Sequence, residues 1–424
     1  LLPTGAVLES LADKSVVFVG IGQGRALAGV EEYIRSRVSI QSFVAVDRQT
    51  PDTSLNFLTE YDPANTIFIK NEGIPGHQMP VPYITTMQIF FDEVRLRGNT
   101  TIGITGTKGK STTASLVHHI LKNNDKETAL LGNIGQSALA SLQSSTLNTV
   151  FVVELSSYQL SDLRISPDIS VCTNLFNDHA NWHGSTDQYW NDKMNIIKYA
   201  ASDDHFVYDA NCAPLREWAS QTKATTHPID HSKLPDLDDS KLFGTHNQIN
   251  ALLAITAVEI LGINQHQSLE ALRSFEPLRH RMQYIGTKND IIFVDDAIGM
   301  TPESTIASIK AVSQKYGPIG CIMLGGQDRG YDFNNLIDTV YQHNIPNIVL
   351  FPDTSETLKA LIARHSDYRP QILESRDMQE SVAFAYQHAP KKQVILLSTG
   401  APSYSVWRDF EQKGDLFQQA YTEL

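Results

Sequence analysis

The chain has 424 residues, of which 41% are hydrophobic and 19% charged, and its formal net charge is −13. That length exceeds one ordinary domain and predicts two or three compact units. The composition has no collagen-like, low-complexity or disulfide-rich bias, and the acidic balance argues against a broad surface for nucleic acid or anionic membranes. We therefore expect a folded enzyme without a nucleic-acid partner, in which a few backbone N–H groups and local cations could still hold a phosphate.

The cysteines and the apolar runs limit the cellular setting. Cys172, Cys212 and Cys321 lie far apart and form no C-x-x-C pair, so neither a disulfide framework nor a zinc site is encoded. No apolar run approaches the length of a membrane span, and the first ten residues lack a basic segment followed by an apolar one. These features predict a cytoplasmic protein without membrane insertion, which we expect to act as a monomer.

The start of the chain resembles a nucleotide-binding unit. A strand over 16–20 is followed by Gly22 and Gly24, and a second strand over 43–47 ends in Asp47. The pattern fails as a dinucleotide fingerprint because Arg25 stands where the last glycine is required, so NAD binding is not expected. Turn glycines without any ligand remain an alternative interpretation.

Short β-branched runs alternate with helical patterns along the whole chain. Such continuous apolar strands predict parallel sheets with helices on both faces, an α/β fold. Polar residues at 97–99 and a turn-rich segment near residue 277 divide the pattern, which predicts three domains over 1–98, 99–278 and 279–424. The predicted strands are 16–20, 43–47, 66–70, 100–105, 150–154, 169–174, 291–295, 319–324, 348–351 and 394–398.

The strongest local signal is a phosphate loop. A strand over 100–105 precedes a glycine-rich turn over 106–112 and a helix over 113–122, the order in which backbone N–H groups and a helix dipole meet phosphates. Lys110 would reach the terminal phosphates, and Ser111 would bind magnesium. Gly103 stands one residue too early for the common G-x-x-x-x-G-K-[ST] pattern, which indicates a variant loop. The alternative is a glycine turn that only caps a helix.

Two strand ends add candidate ligands. Glu154 ends an apolar strand and would lie beside the nucleotide, where magnesium needs oxygen ligands, although a solvated strand end is the simpler interpretation. His179 follows the next strand in a polar loop, at the edge where ligands of α/β proteins bind. A structural histidine is the alternative there.

Several ordered motifs together resemble the Mur ligases, and within them the members that add D-glutamate to UDP-N-acetylmuramoyl-L-alanine. The resemblance spans essentially the whole chain. Its motifs are GITGTKGKSTT at 103–113, GNIG at 132–135, ELSSYQL at 154–160, the run 174–183, Lys193, GTHN at 244–247 and His280-Arg281.

The resemblance implies an ATP-dependent ligase with two magnesium ions. It gives Lys110, His179 and Lys193 catalytic roles, and it implies that Lys193 is a carbamate, an anionic oxygen ligand for magnesium. Without the resemblance, Lys193 would be interpreted as a lysine on a helix surface. The implied metal ligands are Ser111, Glu154, His179 and Lys193. The implied ATP contacts are Gly106, Thr107, Lys108, Gly109, Lys110, Ser111, Thr112, Asn247, Arg281 and Asp296.

The resemblance also assigns the two other substrates. The first domain would hold the UDP part of UDP-N-acetylmuramoyl-L-alanine, and the last domain would select glutamate. The implied UDP-substrate contacts are Gly22, Gly24, Asp47, Asn71, Gly73, Asn133 and His179. The implied amino-acid contacts are Arg329, Ser403 and Phe410.

One stretch departs from the family. Ile298 and Met300 stand where family members usually have lysine and threonine, so two polar contacts are missing and the amino acid stays open between D-glutamate, L-glutamate and another one. Other ligases of the superfamily are alternatives: the first domain argues against a folylpolyglutamate synthase, and the missing Asp-Asn-Pro-Arg motif argues against a diamino-acid ligase. A nucleotide-binding protein without catalytic activity is a further alternative. The presence of all the implied metal ligands argues against it.

Overall fold

A computed structural model describes residues 7–20, 29–47, 54–132, 137–176, 180–402 and 404–424. Strands and helices alternate through these residues and form three sheets, which confirms the α/β fold. The chain divides into two compact units, Leu1–Ser240 with His246–Phe275 and Lys241–Thr245 with Glu276–Leu424. The predicted boundaries at residues 98 and 278 stay predictions.

The first sheet is parallel and has the strand order β2-β1-β3-β4. Its strands are β1 (Ser15–Gly20), β2 (Ser42–Asp47), β3 (Thr66–Lys70) and β4 (Tyr83–Thr85), and its helices are α1 (Val30–Arg37) and α2 (Thr86–Arg97). Thr85 caps α2 by accepting a hydrogen bond from the backbone N–H of Gln88, and Gly98 ends the helix in a left-handed conformation.

The second sheet is also parallel and has the order β10-β9-β8-β5-β7-β6. Its strands are β5 (Thr101–Thr105), β6 (Thr128–Gly132), β7 (Val150–Glu154), β8 (Ile169–Cys172), β9 (His205–Asp209) and β10 (Thr225–Ile229). Its helices are α3 (Lys110–Asn123), α4 (Ala138–Ser144), α5 (Ser157–Asp162), α6 (Ala180–His183), α7 (Thr186–Lys198), α8 (Ala213–Gln221), α9 (Thr245–Glu259) and α10 (Gln265–Arg273).

These two sheets share one hydrophobic core, which explains why they fall into one compact unit. Every residue of α2 from Thr86 to Val94 is buried, so the helix has no solvent face along that length. Phe90 of α2 meets Phe151 of β7 edge to face, with the ring centres 5.3 Å apart. The core cluster runs from Val7 to Ala224 without a break between the sheets.

The third sheet belongs to the second unit and has the order β11-β12-β16-β13-β14-β15, with β11 antiparallel to β12. Its strands are β11 (Gln283–Lys288), β12 (Ile291–Asp295), β13 (Ile319–Gly326), β14 (Asn347–Asp353), β15 (Gln371–Glu374) and β16 (Val394–Leu397). Its helices are α11 (Pro302–Tyr316), α12 (Asn334–Gln342), α13 (Ser355–Ile362), α14 (Met378–His388) and α15 (Phe410–Glu423).

Two predicted boundaries near the phosphate loop differ from the structure. Helix α3 begins at Lys110, three residues before the predicted start, because Gly109 takes a left-handed conformation and turns the chain directly into the helix. Strand β8 ends at Cys172, two residues before the predicted end. The N–H of Thr173 still bonds to Thr105 of β5, but the side chains of Thr173 and Asn174 bond to Lys108 of the loop. In the part of the chain that the structure describes, no helix combines the length and apolar character needed to cross a bilayer.

Candidate active site

The phosphate loop connects β5 to α3 at the carboxyl edge of the second sheet, between β7 and β8. Gly106 has φ +141°, and a Cβ there would lie 2.0 Å from Oγ1 of Thr173. Gly109 has φ +84°, and a Cβ there would lie 2.5 Å from Oδ1 of Asn250. Both positions therefore exclude a side chain by conformation and by contact. The N-terminus of α3 opens at this turn, which is the geometry that binds phosphate.

The end of β8 fixes the shape of the loop. The backbone N–H of Thr107 donates to the carbonyl of Asn174 at 2.9 Å. The Asn174 side chain accepts from the N–H of Lys108 at 2.8 Å and donates to its carbonyl at 3.0 Å. Thr173 Oγ1 also donates to the Lys108 carbonyl, at 2.5 Å. Neither Thr173 nor Asn174 was predicted as a site residue, since both were placed inside the predicted strand 169–174, whereas the strand ends at Cys172.

Two lysines meet on one carbonyl of the loop. Lys110 Nζ donates to the carbonyls of Gly106 and Thr107, both at 3.0 Å. Lys193 Nζ donates to the same Gly106 carbonyl at 2.9 Å and lies 4.9 Å from the ring centre of Tyr189. Lys193 is only 1% exposed, so it is not a lysine on a helix surface. Its position brings a second cation against the turn that is shaped for phosphate.

The candidate metal ligands lie around the same edge. Glu154 ends β7 and is 1% exposed, and Ser111 is the second residue of α3. A carboxylate and a hydroxyl are oxygen donors of the type that magnesium prefers, so these residues fit the ion. The described residues contain no cluster of three His, Cys, Asp or Glu side chains that could hold a metal. His179, the other predicted ligand of these types, lies outside the described residues.

The cysteine at this edge is not a nucleophile. Cys172 is the last residue of β8 and is fully buried. Burial raises the pKa of its thiol to about 12. A thiol in this state carries no thiolate near neutral pH, so Cys172 packs as a small apolar side chain.

Helix α9 supplies a link that sequence reasoning missed. Asn247, a predicted ATP contact, is 5% exposed near the start of α9. Asn250 Nδ2 donates to Asn247 Oδ1 at 3.4 Å, and the Asn250 side chain is the one that a Cβ on Gly109 would strike. The structure therefore connects Asn247 to the phosphate loop through Asn250.

The predicted UDP-substrate residues are described only in part. Asn71 follows β3, and its N–H donates to the Val19 carbonyl at 2.8 Å. Its side-chain Oδ1 accepts from the N–H of Gly73 at 2.9 Å, which closes a tight turn. Asp47 is the last residue of β2 and pairs with Gly20 of β1. The other predicted UDP-substrate contacts lie outside the described residues, namely Gly22, Gly24, Asn133 and His179. Ser403, a predicted amino-acid contact, lies outside them as well.

In the second unit, Asp296 lies directly after β12 and is engaged within that unit. Its Oδ2 accepts from the hydroxyls of Ser308 and Ser398, both at 2.7 Å, and its Oδ1 accepts from the N–H of Met282 at 3.2 Å. Burial raises the pKa of Asp296 to about 6, although its hydrogen bonds and the positive charge of Arg281 act in the opposite direction. Asp296 and Arg281, which are the two predicted ATP contacts of this unit, therefore lie near each other.

The predicted amino-acid contacts of the second unit differ in exposure. Arg329 is exposed, with its guanidinium 5.6 Å from the ring centre of Tyr404. Phe410 begins α15 and meets the His280 ring edge to face at 6.4 Å. Ile298, one of the departures from the family pattern, is half-buried, and its N–H donates to the His280 carbonyl at 3.1 Å.

Comparisons with known proteins agree with this geometry. The Mur ligase middle domain matches residues 104–258, and the Mur ligase glutamate ligase domain matches residues 280–400. The UDP-N-acetylmuramoylalanine--D-glutamate ligase of Bacillus cereus (strain G9842) is 31% identical over 388 residues, which cover 85% of this chain and 84% of that protein. The ligase of the same name from Bacillus cytotoxicus is 31% identical over 387 residues, 84% of this chain and 83% of that protein.

Solved structures show the same fold. The MurF ligase of Thermotoga maritima, solved in complex with ADP, has a TM-score of 0.65 at 17% identity and covers 98% of this chain and 96% of that one. The UDP-N-acetylmuramate-alanine ligase of the same organism has a TM-score of 0.61 at 18% identity, with 96% and 99% covered. At these identities the likeness concerns the fold. With the domain matches and the relatives above 30% identity, the chain belongs to the Mur ligase family of ATP-dependent, ADP-forming ligases.

Proposed function

We propose that this enzyme adds D-glutamate to UDP-N-acetylmuramoyl-L-alanine in the synthesis of peptidoglycan precursors, acting as a monomer in the cytoplasm. The relatives that are 31% identical over most of the chain are named for this reaction. The observation that supports the ligase chemistry most directly is the phosphate loop, on which Lys110 and Lys193 both contact the Gly106 carbonyl.

The residues divide the work in a way that suits an acyl phosphate. The alanyl carboxylate attacks the γ-phosphate of ATP, the bond to ADP breaks, and the amine of glutamate then displaces phosphate from the acyl group. Lys110 and the N–H groups at the start of α3 hold the phosphates and stabilise the charge that develops on them. Asn247 orients the nucleotide from α9, and Arg281 and Asp296 are its proposed contacts in the last domain.

We propose that Ser111, Glu154, His179 and a carbamylated Lys193 hold two magnesium ions. Magnesium supplies positive charge that offsets the phosphate charge. A carbamate would convert Lys193 from a hydrogen-bond donor on the Gly106 carbonyl into an anionic oxygen ligand. Its place in a buried pocket beside Tyr189 suits a single fixed ligand more than a mobile surface cation.

We assign the UDP part of the substrate to domain 1–98, ATP to domain 99–278 and the amino acid to domain 279–424. L-glutamate is the second candidate amino acid, because Ile298 and Met300 replace two polar side chains of the family pattern. Arg329 is a cation that could pair with a side-chain carboxylate in a two-pronged way.

The test is phosphate release from ATP with UDP-N-acetylmuramoyl-L-alanine fixed and a panel of D- and L-amino acids varied. We expect release only when D-glutamate and the UDP substrate are present together. Release with L-glutamate but not with D-glutamate would refute the stereochemical assignment. Release without the UDP substrate would refute the proposed ligation. A Lys110→Ala variant serves as the inactive control, because it loses the cation at the terminal phosphates.

A further inference from the structure

A buried ion pair lies below the predicted UDP-substrate turn, outside the catalytic set described above. Lys70, the last residue of β3, is 0% exposed, and its Nζ lies 2.9 Å from Oδ2 of Asp162. Asp162 is the last residue of α5, so the pair joins the first sheet to a helix of the second. Tyr83 donates its hydroxyl to the other carboxylate oxygen at 2.7 Å.

The ammonium of Lys70 also holds the turn itself. It donates to the carbonyl of Ile74 at 2.6 Å and to that of Asn71 at 3.2 Å. Together with the ion pair to Asp162, these two hydrogen bonds give the ammonium three polar contacts. Trp182 donates to the carbonyl of Gly73 at 3.4 Å, so the 71–74 segment is held from two directions.

The fit around Asp162 is tight. A Cβ on Gly76 would lie 2.3 Å from the Tyr83 hydroxyl and 3.3 Å from Oδ1 of Asp162. Burial and the negative charge of Asp162 raise the pKa of Tyr83, so its hydroxyl stays protonated and donates. The carboxylate therefore has one fixed partner on each oxygen.

The opposite end of α5 is tied to the phosphate edge. The hydroxyl oxygen of Ser157, the first residue of α5, lies 3.0 Å from His183 Nε2. His183 Nδ1 lies 2.6 Å from Oδ2 of Asp192, the residue before Lys193. Helix α5 thus connects the 71–74 turn at one end to the neighbour of Lys193 at the other.

Stability alone does not explain this arrangement. Desolvation of two charges offsets most of their attraction, and apolar residues of similar size often replace a buried pair without loss of stability. An apolar side chain cannot hold two carbonyl groups in a turn. The charged cluster therefore does something that packing alone would not.

We propose that Lys70, Asp162 and Tyr83 are positioning residues, which fix the 71–74 turn relative to the phosphate edge so that the UDP substrate presents its carboxylate to ATP. This inference rests on the proposed function, in which Asn71 and Gly73 contact the UDP part. The three residues act through the turn and touch no reacting atom.

The test replaces both charges at once, by Lys70→Met with Asp162→Leu, and measures KM for each substrate. We expect the melting temperature to stay within about 5 °C of the parent, because no charge is left buried without a partner. KM for the UDP substrate should rise at least tenfold, while KM for ATP stays within twofold. A folded double variant with an unchanged KM for the UDP substrate would overturn the inference.

A matched pair of tyrosine variants covers the case in which the double variant does not fold. Tyr83→Phe removes the hydroxyl that holds Asp162, whereas Tyr33→Phe removes an equivalent hydrogen bond, from Tyr33 to Glu93 at 2.9 Å, away from the turn. We expect KM for the UDP substrate to rise about threefold in Tyr83→Phe only. Equal KM values in the two variants would contradict the positioning role.

Amide hydrogen exchange separates the inference from the proposed function. Inside the turn, the N–H of Gly73 donates to the side chain of Asn71, and the N–H of Ile74 donates to the carbonyl of Asn71. If the parent enzyme does not turn over UDP-N-acetylmuramoyl-L-alanine, the proposed function fails and exchange decides the inference. Tenfold faster exchange of these amides in the double variant or in Tyr83→Phe, but not in Tyr33→Phe, supports it, and unchanged exchange refutes it.

Discussion

Gly109 and Gly98 are two left-handed glycines at helix ends, and they differ in what surrounds them. Comparing alanine variants at the two positions therefore tests the contact of the phosphate loop with Asn250. Gly109 has φ +84° at the start of α3, and Gly98 has φ +74° at the end of α2. An added Cβ would lie 2.5 Å from Oδ1 of Asn250 at the first position and would meet nothing within 4 Å at the second. Gly98→Ala therefore measures backbone strain alone, whereas Gly109→Ala measures backbone strain together with displacement of the Asn250 amide.

The expected magnitudes follow from these two terms. Left-handed backbone costs an alanine about 1–2 kcal/mol at either position. Gly109→Ala must also displace the buried Asn250 amide, which adds about 1–3 kcal/mol of overpacking. The free energy of unfolding should thus fall by about 2–5 kcal/mol in Gly109→Ala and by about 1–2 kcal/mol in Gly98→Ala. Because Asn250 bonds to Asn247, KM for ATP should rise about tenfold, equivalent to about 1.4 kcal/mol, in Gly109→Ala alone.

Denaturant unfolding measures the first quantity, and phosphate release at varied ATP concentration measures the second. The double variant Gly109→Ala with Asn250→Ala removes the displaced amide, so its loss of stability should be smaller than the sum of the two single losses. Equal losses of stability in Gly109→Ala and Gly98→Ala, with equal KM for ATP, would refute the proposed link from the loop to Asn250.

Three further predictions concern Lys193, Lys413 and the pair of Ile298 with Met300. Lys193→Ala should abolish phosphate release while leaving the fold intact by circular dichroism, and full activity would remove Lys193 from the site. Burial lowers the pKa of Lys413 to about 7, so between pH 7 and pH 10 the unfolded chain holds a proton that the folded chain has released. The free energy of unfolding should therefore rise by up to about 1.4 kcal/mol per pH unit in that window, and Lys413→Met should flatten the rise; an equal slope in the variant would contradict this. Ile298→Lys with Met300→Thr, which restores the usual family residues, should lower KM for D-glutamate at least fivefold; an unchanged KM would show that these positions do not select the amino acid.

The phosphate loop could be predicted because its determinants are local. Strand, glycine turn and helix follow one another within about twenty residues, and each has its own sequence signal. Only the start of the helix was placed too late, since the left-handed conformation of Gly109 is not visible in a helix-forming pattern. The end of β7 at Glu154 was predicted correctly for the same local reason.

The partners of the loop could not be predicted, because they come from distant parts of the chain. Thr173 and Asn174 bond to Lys108, 65 and 66 positions earlier in the sequence. Asn250 reaches Gly109 from α9, and no pattern in a single sequence relates these two positions. Buried lysines raise the same difficulty: Lys70 looks like an ordinary strand end until the fold brings Asp162 to it.

The contacts of Lys110 bear on its proposed role as a phosphate ligand. Its ammonium donates to two neutral carbonyls of the loop, both at 3.0 Å, so the side chain is already folded over the turn. Hydrogen bonds from an ammonium to phosphate oxygens are stronger than those to neutral carbonyls, so in the proposed function ATP would displace these bonds with little movement of the lysine.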